Sequence, residues 1–483
     1  MPTSDAPHPG SFAARFSTRM RTGLAWNAGG VIVSRGLSIL SRLLLAALLL
    51  PEHFGMVAMV SILTTLAVTL MDAGLQQTLI QRRRDRLTPL LHASAFWFIL
   101  GSGLAWTVAV GALGIPLIAR AFGAPEIMAP GFALAVGIAL QALGTVPTVV
   151  LTRRMRFRHL VAAEVSGVAA GATAALALAM AGAGVWSLIA QYLIATAISV
   201  ILMWRLCSWR PRLRFDGLAL RSAAGYSASI LGARLVYYLR AHLDNALVGG
   251  LLGATALGLY STAFSLTEGV RSQLASIFGR VMLPAYSRSQ DDPIALRGHY
   301  LAMLRMTTVT ILPICLGGFL FAEPLVQAFF ASHWWPAAPI IQILSVGGVV
   351  FSLMGPSVEV LQATGRPHWV LRIALTNLLF VALPGIAVGT LHFGIEGTAV
   401  GFTFAFALQR AATDIAARRC IGLSTVLMAR EIVPALLITG VILLGWFIVP
   451  DDAPVVVQFA LYAGAFTILV VWYRHISRAK PVR

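Results

Sequence analysis

The chain has 483 residues, 58% of them hydrophobic and 11% charged, with a formal net charge of +18. A soluble domain carries about 25% charged residues, so this chain lacks the polar surface that a soluble enzyme or a nucleic-acid-binding domain needs. Its positive charge is dispersed in short arginine runs between apolar stretches, the pattern of cytoplasmic membrane loops and not of a nucleic-acid footprint.

Residues 1–23 read as a polar, basic cytoplasmic segment. The apolar stretch that follows is too long for a signal-peptide core and has no small-residue cleavage site, so it reads as an uncleaved first span. A spanning helix needs about 20 apolar residues. Spans are predicted near 24–50, 55–80, 90–120, 127–152, 160–181, 184–204, 224–251, 257–284, 299–321, 337–362, 368–390, 394–416, 428–449 and 455–473. The expected fold is an all-α polytopic membrane protein of about 14 transmembrane helices.

Arginine placement orients these spans. Arg15, Arg19 and Arg21 precede the first. Arg82, Arg83, Arg84 and Arg86 follow the second, and Arg153, Arg154, Arg156 and Arg158 follow the fourth. Arg205, Arg210, Arg212, Arg214 and Arg221 follow the sixth. Arg288 and Arg297, then Arg366, then Arg418, Arg419 and Arg430 fill the next alternate loops, and Arg474, Arg478, Lys480 and Arg483 form the tail. The opposite loops carry Glu52, Glu126, Glu323, Asp451 and Asp452, with Arg120 their single basic residue. This alternation places both termini in the cytoplasm of a multi-pass inner-membrane protein. The longest outer loop, 322–336, holds His333, Trp334 and Trp335, whose aromatics read as an interfacial anchor.

The sequence repeats weakly at an offset of about 203–210 residues. Leu49-Leu50-Pro51-Glu52-His53-Phe54-Gly55 answers Leu251-Leu252-Gly253-Ala254-Thr255-Ala256-Leu257-Gly258. Gly184-Val185-Trp186-Ser187 answers Gly394-Ile395-Glu396-Gly397, and Pro147 and Pro356 each precede a basic turn. The expected division is a first six-helix lobe at 24–206, a cytoplasmic linker at 207–223, a second six-helix lobe at 224–417, two extra helices at 418–473 and a cytoplasmic tail at 474–483. Such repeats suggest two bundles rocking around a site near the membrane midplane.

The ordered motifs resemble the polysaccharide transporter (Wzx-like) branch of the multidrug/oligosaccharidyl-lipid/polysaccharide flippase superfamily. They are Ser41-Arg42-Leu43-Leu44-Leu45 through Pro51-Glu52-His53-Phe54-Gly55, and Asp72-Ala73-Gly74-Leu75 through Leu79-Ile80-Gln81-Arg82. Then come Leu151-Thr152-Arg153-Arg154-Met155-Arg156-Phe157, Gly184-Val185-Trp186-Ser187-Leu188 and Leu243-Asp244-Asn245-Ala246-Leu247-Val248-Gly249. The resemblance implies two six-helix lobes around a central V-shaped cavity, with the first and seventh spans lining it. It also implies movement of an undecaprenyl-diphosphate-linked oligosaccharide to the periplasmic leaflet for O-antigen, capsule or exopolysaccharide assembly. It brings no catalytic motif. A polysaccharide polymerase and chain-length machinery are the protein partners it suggests, beside membrane lipids.

Charged residues inside the spans are the candidate site, because an ionisable group in hydrocarbon faces a cavity or a partner. Arg35 and Arg42 share a face of the first span; Arg234, Tyr237, Arg240 and Asp244 lie along the seventh; Arg271 lies on the eighth. Guanidinium groups bind diphosphate oxygens in a planar fork, and tyrosine suits sugar hydroxyls and ring faces. The competing reading is internal pairing at i,i+3 or i,i+4: Arg240 with Asp244, Arg271 with Glu268, Arg410 with Asp414. For Arg35 it is snorkelling to the interface. Asp72 reads as a structural hairpin residue, and Glu359 and Glu396 are candidates for a coupling proton.

Other chemistries lack their residues. Lys480 is the only lysine, which excludes a Walker A loop. None of the ten histidines forms His-Glu-x-x-His, and the three cysteines are far apart, so no metal or other cofactor is implied. Gly225-Tyr226-Ser227 is a lone Gly-x-Ser. The alternatives are a lipid II flippase or cation-coupled multidrug exporter of the same superfamily. A drug-cation exporter calls for an anionic cavity. A membrane polymerase or ligase calls for a large outer loop that this chain lacks.

Overall fold

The computed structural model describes residues 9–82, 88–289 and 292–448, with scattered positions between 457 and 467. The basic cluster Arg83, Arg84 and Arg86, nearly all of the expected last span 455–473, and the tail 474–483 lie outside the described residues. Every regular element described is helical, as a bilayer requires of backbone that must satisfy its own hydrogen bonds. Among the described residues nine helices are long and apolar enough to cross a membrane, or ten if the bent pair Ala337–Ser352 and Ser357–Ala363 is one span.

By contact density the chain forms two compact units. The first is Met1–His242 with Gly253–Thr255; the second is Leu243–Leu252 with Ala256–Arg483. Unit 1 holds α1 (Pro9–Leu48), α2 (Pro51–Met71), α3 (Leu75–Gln81), α4 (Pro89–Ala109), α5 (Ile115–Ala121), α6 (Met128–Arg153), α7 (Phe157–Met180) and α8 (Val185–Leu206). Helix α9 (Gly217–Arg288) starts in unit 1 and ends in unit 2. Unit 2 continues with α10 (Pro293–Leu320), α11 (Ala322–Phe329), α12 (Ala337–Ser352), α13 (Ser357–Ala363), α14 (Pro367–Asn377), α15 (Leu383–Ile421) and α16 (Thr425–Ile448).

Turn chemistry fixes the breaks. Pro51 opens α2 after extended Leu50, since proline is preorganised for the first helical position. The expected span 55–80 is not one helix. Gly74 is left-handed at φ 77°, and its N–H donates to Asp72 Oδ1 at 3.1 Å, which separates α2 from α3. Gly253 (φ 85°, ψ −175°) interrupts α9 at the expected boundary of the seventh and eighth spans.

The repeat is visible in backbone geometry. Gly184 (φ 57°, ψ −128°) and Gly394 (φ 62°, ψ −141°) share one conformation that an L side chain resists. Met155 and Gly365 both have positive φ, 54° and 74°. The turns around them make matched hydrogen bonds: Arg156 N–H to Leu151 O at 2.9 Å and Arg366 N–H to Leu361 O at 2.8 Å. His159 N–H to Arg156 O is matched by Trp369 N–H to Arg366 O, each at 3.1 Å. Both turns sit at one offset, 210 residues, in separate units. Pro147 lies inside continuous α6, whereas Pro356 stands in the break before α13.

Two expectations need correction. Trp334 is not an interfacial anchor: it is fully buried, with its ring 5.8 Å from that of Phe330. Trp335 is half exposed. Helix α1 also begins at Pro9, well before the first expected span.

Small residues bring α7 and α8 together, as they do between membrane helices generally. A Cβ on Gly167 would overlap the Ala195 carbonyl, and one on Gly171 would overlap the Gln191 carbonyl and approach Ala195 Cβ to 2.9 Å. Gly171→Leu is expected to lower the unfolding free energy by roughly 1–3 kcal/mol, the usual cost of overpacking. Gly36→Ala, with nothing within 4 Å, is expected to be neutral or slightly stabilising. Unfolding of both variants by titration with a denaturing detergent checks this; equal loss at both positions would contradict the packing account.

Candidate functional site

A cavity of about 610 Å³ opens within unit 1. Polar residues at helical spacing supply its wall: Thr65, Thr69, Asp72 and Gln76 from α2–α3, Gln141, Thr145 and Thr148 from α6, and Arg234, Tyr238 and His242 from α9. Glu164 of α7, Thr196 and Ser199 of α8, and Tyr237 complete its polar lining. The α6 and α9 sets recur every three or four residues and so lie on one face of their helices, whereas the Asp72–Gly74 break stands between Thr69 of α2 and Gln76 of α3.

The central contact is an ion pair. Arg234 Nη1 donates to both Asp72 oxygens at 2.9 Å. Asp72 is buried, its side chain 3% exposed, while the Arg234 side chain keeps 27%. The same carboxylate caps the Gly74 turn, so the break between α2 and α3 and the placement of Arg234 share one acceptor. Nearby, the Tyr238 hydroxyl donates to the Ile62 carbonyl, and its ring lies 4.7 Å from that of His242. Gln141 Nε2 donates to the Tyr192 hydroxyl at 2.7 Å. Ser34 of α1 donates to Glu164 at 3.2 Å.

Of the residues singled out from sequence, Arg234 and Tyr237 lie on this wall. Tyr237 is exposed, and the Arg240 guanidinium stands 5.7 Å from the centroid of its ring. Arg35 is exposed on α1. Arg42 is half-buried, 5.5 Å from the Phe54 ring centroid. Asp244 and Arg271 belong to unit 2. Asp244 is 1% exposed and accepts from the Tyr260 hydroxyl and the Asn245 N–H, each at 2.8 Å. Arg271 is buried, its guanidinium 4.4 and 4.5 Å from the centroids of the Phe351 and Phe406 rings, and its Nε donates to Glu268 Oε2 at 2.6 Å.

The internal pairs therefore divide by polarity. Glu268–Arg271 forms, with the acid nearer the helix N-terminus. Asp414 pairs with Arg418 at 2.7 Å and not with Arg410, which donates to the Gly355 carbonyl at 2.8 Å. Asp244 takes its hydrogen bonds from Tyr260 and Asn245, not from Arg240. Acid before base is the favourable order on a helix; Arg240–Asp244 and Arg410–Asp414 have the reverse order.

A search for arginines misses the other cavity residues. Asp72 reads as a hairpin residue, and Gln76, Gln141, Glu164 and His242 are single polar residues in apolar runs. The signal was the 65, 69, 72, 76 and 141, 145, 148 spacings. In this cavity one guanidinium stands with two carboxylates and several neutral hydrogen-bonding groups. That mixture suits a ligand with one anionic centre and many hydroxyls, provided that Asp72 yields Arg234 to it.

Residues 44–339, more than half of the chain, match a family model described as polysaccharide biosynthesis protein. The chain belongs to this family. Among its relatives, the lipopolysaccharide biosynthesis protein WzxC of Escherichia coli K12 is 24% identical over 383 residues, 79% of this chain and 77% of that protein. The succinoglycan biosynthesis transport protein ExoT of Rhizobium meliloti is 25% identical over 344 residues, 70% and 69% of the two chains. The fold is that of solved transporters. The lipid II flippase MurJ in an inward closed conformation superposes with a TM-score of 0.70 at 13% identity, covering 93% of this chain and 99% of that one. An inward-facing multidrug MATE transporter of the MOP superfamily gives 0.63 at 15% identity, covering 80% and 94%. This family member is thus a multi-pass, all-α membrane protein with the MOP-superfamily fold.

Proposed function

We propose that this protein flips a polyprenyl-diphosphate-linked oligosaccharide across the bacterial inner membrane by alternating access, moving its substrate without altering it. The observation that carries the reading is the unit 1 cavity, in which Arg234 and its partner Asp72 stand among hydroxyl and amide side chains. Family membership supports the substrate class. By the arginine alternation, the α2–α3 break precedes a cytoplasmic loop, so the cavity lies toward the side where a lipid-linked glycan is made. The headgroup would occupy the cavity while the polyprenyl tail remains in lipid. The Arg234–Asp72 pair leaves Glu164 as the remaining carboxylate on this wall, so binding of a drug cation there is the second reading.

We read both termini as cytoplasmic and the helices as two six-span lobes followed by two further spans. Arg234 and Tyr237 lead the proposed substrate-facing set because they line the cavity; Arg35, Arg42 and Arg240 are proposed beside them, and Asp244 and Arg271, buried in unit 2, are proposed to meet substrate only when alternating access uncovers them. A polysaccharide polymerase and chain-length machinery would take the flipped product.

Two measurements test the reading. A reporter fused after Arg483 is expected to be active only if it is a cytoplasmic type; activity of a periplasmic type would overturn the orientation. A strain lacking the gene is expected to accumulate intact lipid-linked oligosaccharide on the cytoplasmic face. Accumulation of flipped but unpolymerised units outside would instead indicate a polymerase.

A further inference from the structure

A second concavity of about 400 Å³ lies on unit 1 between α6 and α8, adjoining the polar cavity, with which it shares Val200. Its walls are apolar: Leu140 and Leu143 from α6, Ala197 and Ile201 from α8. Its rim is not. Arg205, in the last turn of α8, and Arg210, just beyond it, both border the groove, and both are exposed. Trp204 lies at the same level. Its indole N–H donates to the Leu143 carbonyl at 3.1 Å, which ties the end of α8 to α6.

The chain after α8 is held firmly. Trp209 stacks on Trp204 with ring centroids 6.0 Å apart, and Phe96 meets both rings edge-on at 5.7 and 5.8 Å. Trp97 donates to the Arg212 carbonyl at 2.9 Å. Arg210 Nη1 donates to the Cys207 and Trp209 carbonyls at 2.5 and 2.8 Å, and its guanidinium stands 5.7 Å from the Trp204 ring centroid. Its Nε and Nη2 make no hydrogen bond among the described residues, nor does any nitrogen of Arg205. Two guanidiniums with donors to spare therefore stand above an apolar trough, at the level of a tryptophan. Tryptophan marks the headgroup zone of a bilayer.

We propose that this groove is a binding site for an anionic membrane phospholipid, with one acyl chain along α6 and α8 and the phosphate held by Arg205 and Arg210. The charge complementarity is specific. An apolar groove alone accepts any lipid chain, whereas basic residues beside transmembrane helices select anionic headgroups. Arg210 is already oriented by its two carbonyl contacts, so little ordering is needed when the phosphate arrives. Apart from Val200 the groove has its own lining residues, and its test does not depend on what the polar cavity carries.

The test is native mass spectrometry of the full chain in detergent, titrated with dioleoyl-phosphatidylglycerol or dioleoyl-phosphatidylcholine. Near a membrane each basic residue is worth about fivefold in anionic-lipid affinity. The wild type is expected to prefer phosphatidylglycerol by about 30-fold. Arg205→Ala, at an exposed residue that makes no hydrogen bond or ion pair among the described residues, is expected to lose about fivefold of that preference, and adding Arg210→Ala to abolish it. Ala197→Phe, which fills the trough, is expected to weaken both lipids together. Arg221→Ala, an exposed basic residue outside the groove, is expected to change nothing. Equal affinity of the wild type for the two lipids would overturn the proposal. So would a preference unchanged in the Arg205→Ala, Arg210→Ala variant, or one lowered as much by Arg221→Ala.

Discussion

Replacement of Arg234 by alanine is expected to weaken lipid-diphosphate binding roughly 10- to 100-fold, the cost of removing a charge-assisted hydrogen bond, and to stop transport at cellular substrate levels. Arg234→Lys is expected to fall between, since an ammonium keeps the charge but loses the planar fork. Arg234→Ala alone also strands Asp72, a carboxylate whose side chain is 3% exposed, so a loss of activity from that variant could be a loss of folding. The Arg234→Ala, Asp72→Asn double variant separates the two, because the asparagine amide oxygen keeps the cap on Gly74 while the buried charge is gone. Removing both members of a buried pair costs much less stability than removing one, so this protein should be closer to wild type in unfolding and still not transport. Asp72→Asn alone makes the opposite prediction. Its amide oxygen keeps the cap on Gly74, while Arg234 loses its competitor. Substrate should then bind more tightly and leave more slowly. Binding to a fluorescent polyprenyl diphosphate, measured beside transport, distinguishes these outcomes. A stable double variant with full transport would return Arg234 to a structural role.

The second large effect is expected in unit 2. Arg271 and Glu268 form an ion pair with side chains 8% and 19% exposed, and the guanidinium stands against the Phe351 and Phe406 rings, which stack on each other. Glu268→Ala leaves a buried cation without its counter-charge and is expected to cost about 3–5 kcal/mol of stability. Glu268→Leu with Arg271→Met removes both charges and is expected to recover most of it. Unfolding by detergent titration checks the stabilities. Transport by the recovered variant then decides whether Arg271 touches substrate. Activity near wild type would show that its charge serves packing, and a stable but inactive protein would show that it serves transport.

Among the described residues the positions of the apolar spans were legible because hydropathy acts over whole helices, so an error of a few residues does not move a span. The breaks were legible where a glycine must take a positive φ, as at Gly184, Gly253 and Gly394. The Asp72–Gly74 break was not, although Asp-Ala-Gly carries its turn chemistry, because the apolar run continues through Leu75 and Leu79 and hides it. Spacing alone misjudged the ion pairs. Arg240–Asp244 and Arg410–Asp414 have the right separation but the less favourable order, while Glu268–Arg271 has both. Trp334 misled for a related reason, since a tryptophan in an outer loop reads as a membrane anchor until its contact with Phe330 is seen. At the site, arginine was the strongest signal and found Arg234. The neutral and acidic cavity residues were visible only as weak polar stripes in apolar helices. That Arg234 meets Asp72, 162 positions away in sequence, follows from the packing of α9 within unit 1 and from no local pattern.

The most direct test of the account is reconstitution of the purified protein into liposomes that carry a polyprenyl-diphosphate oligosaccharide in one leaflet, with lectin access to the glycan followed over time. The account predicts that wild-type protein makes the glycan accessible from the opposite side at unchanged mass, and that the Arg234→Ala, Asp72→Asn protein, reconstituted at equal density, does not. A glycan that stays inaccessible with wild-type protein, or that changes mass as it becomes accessible, would contradict it.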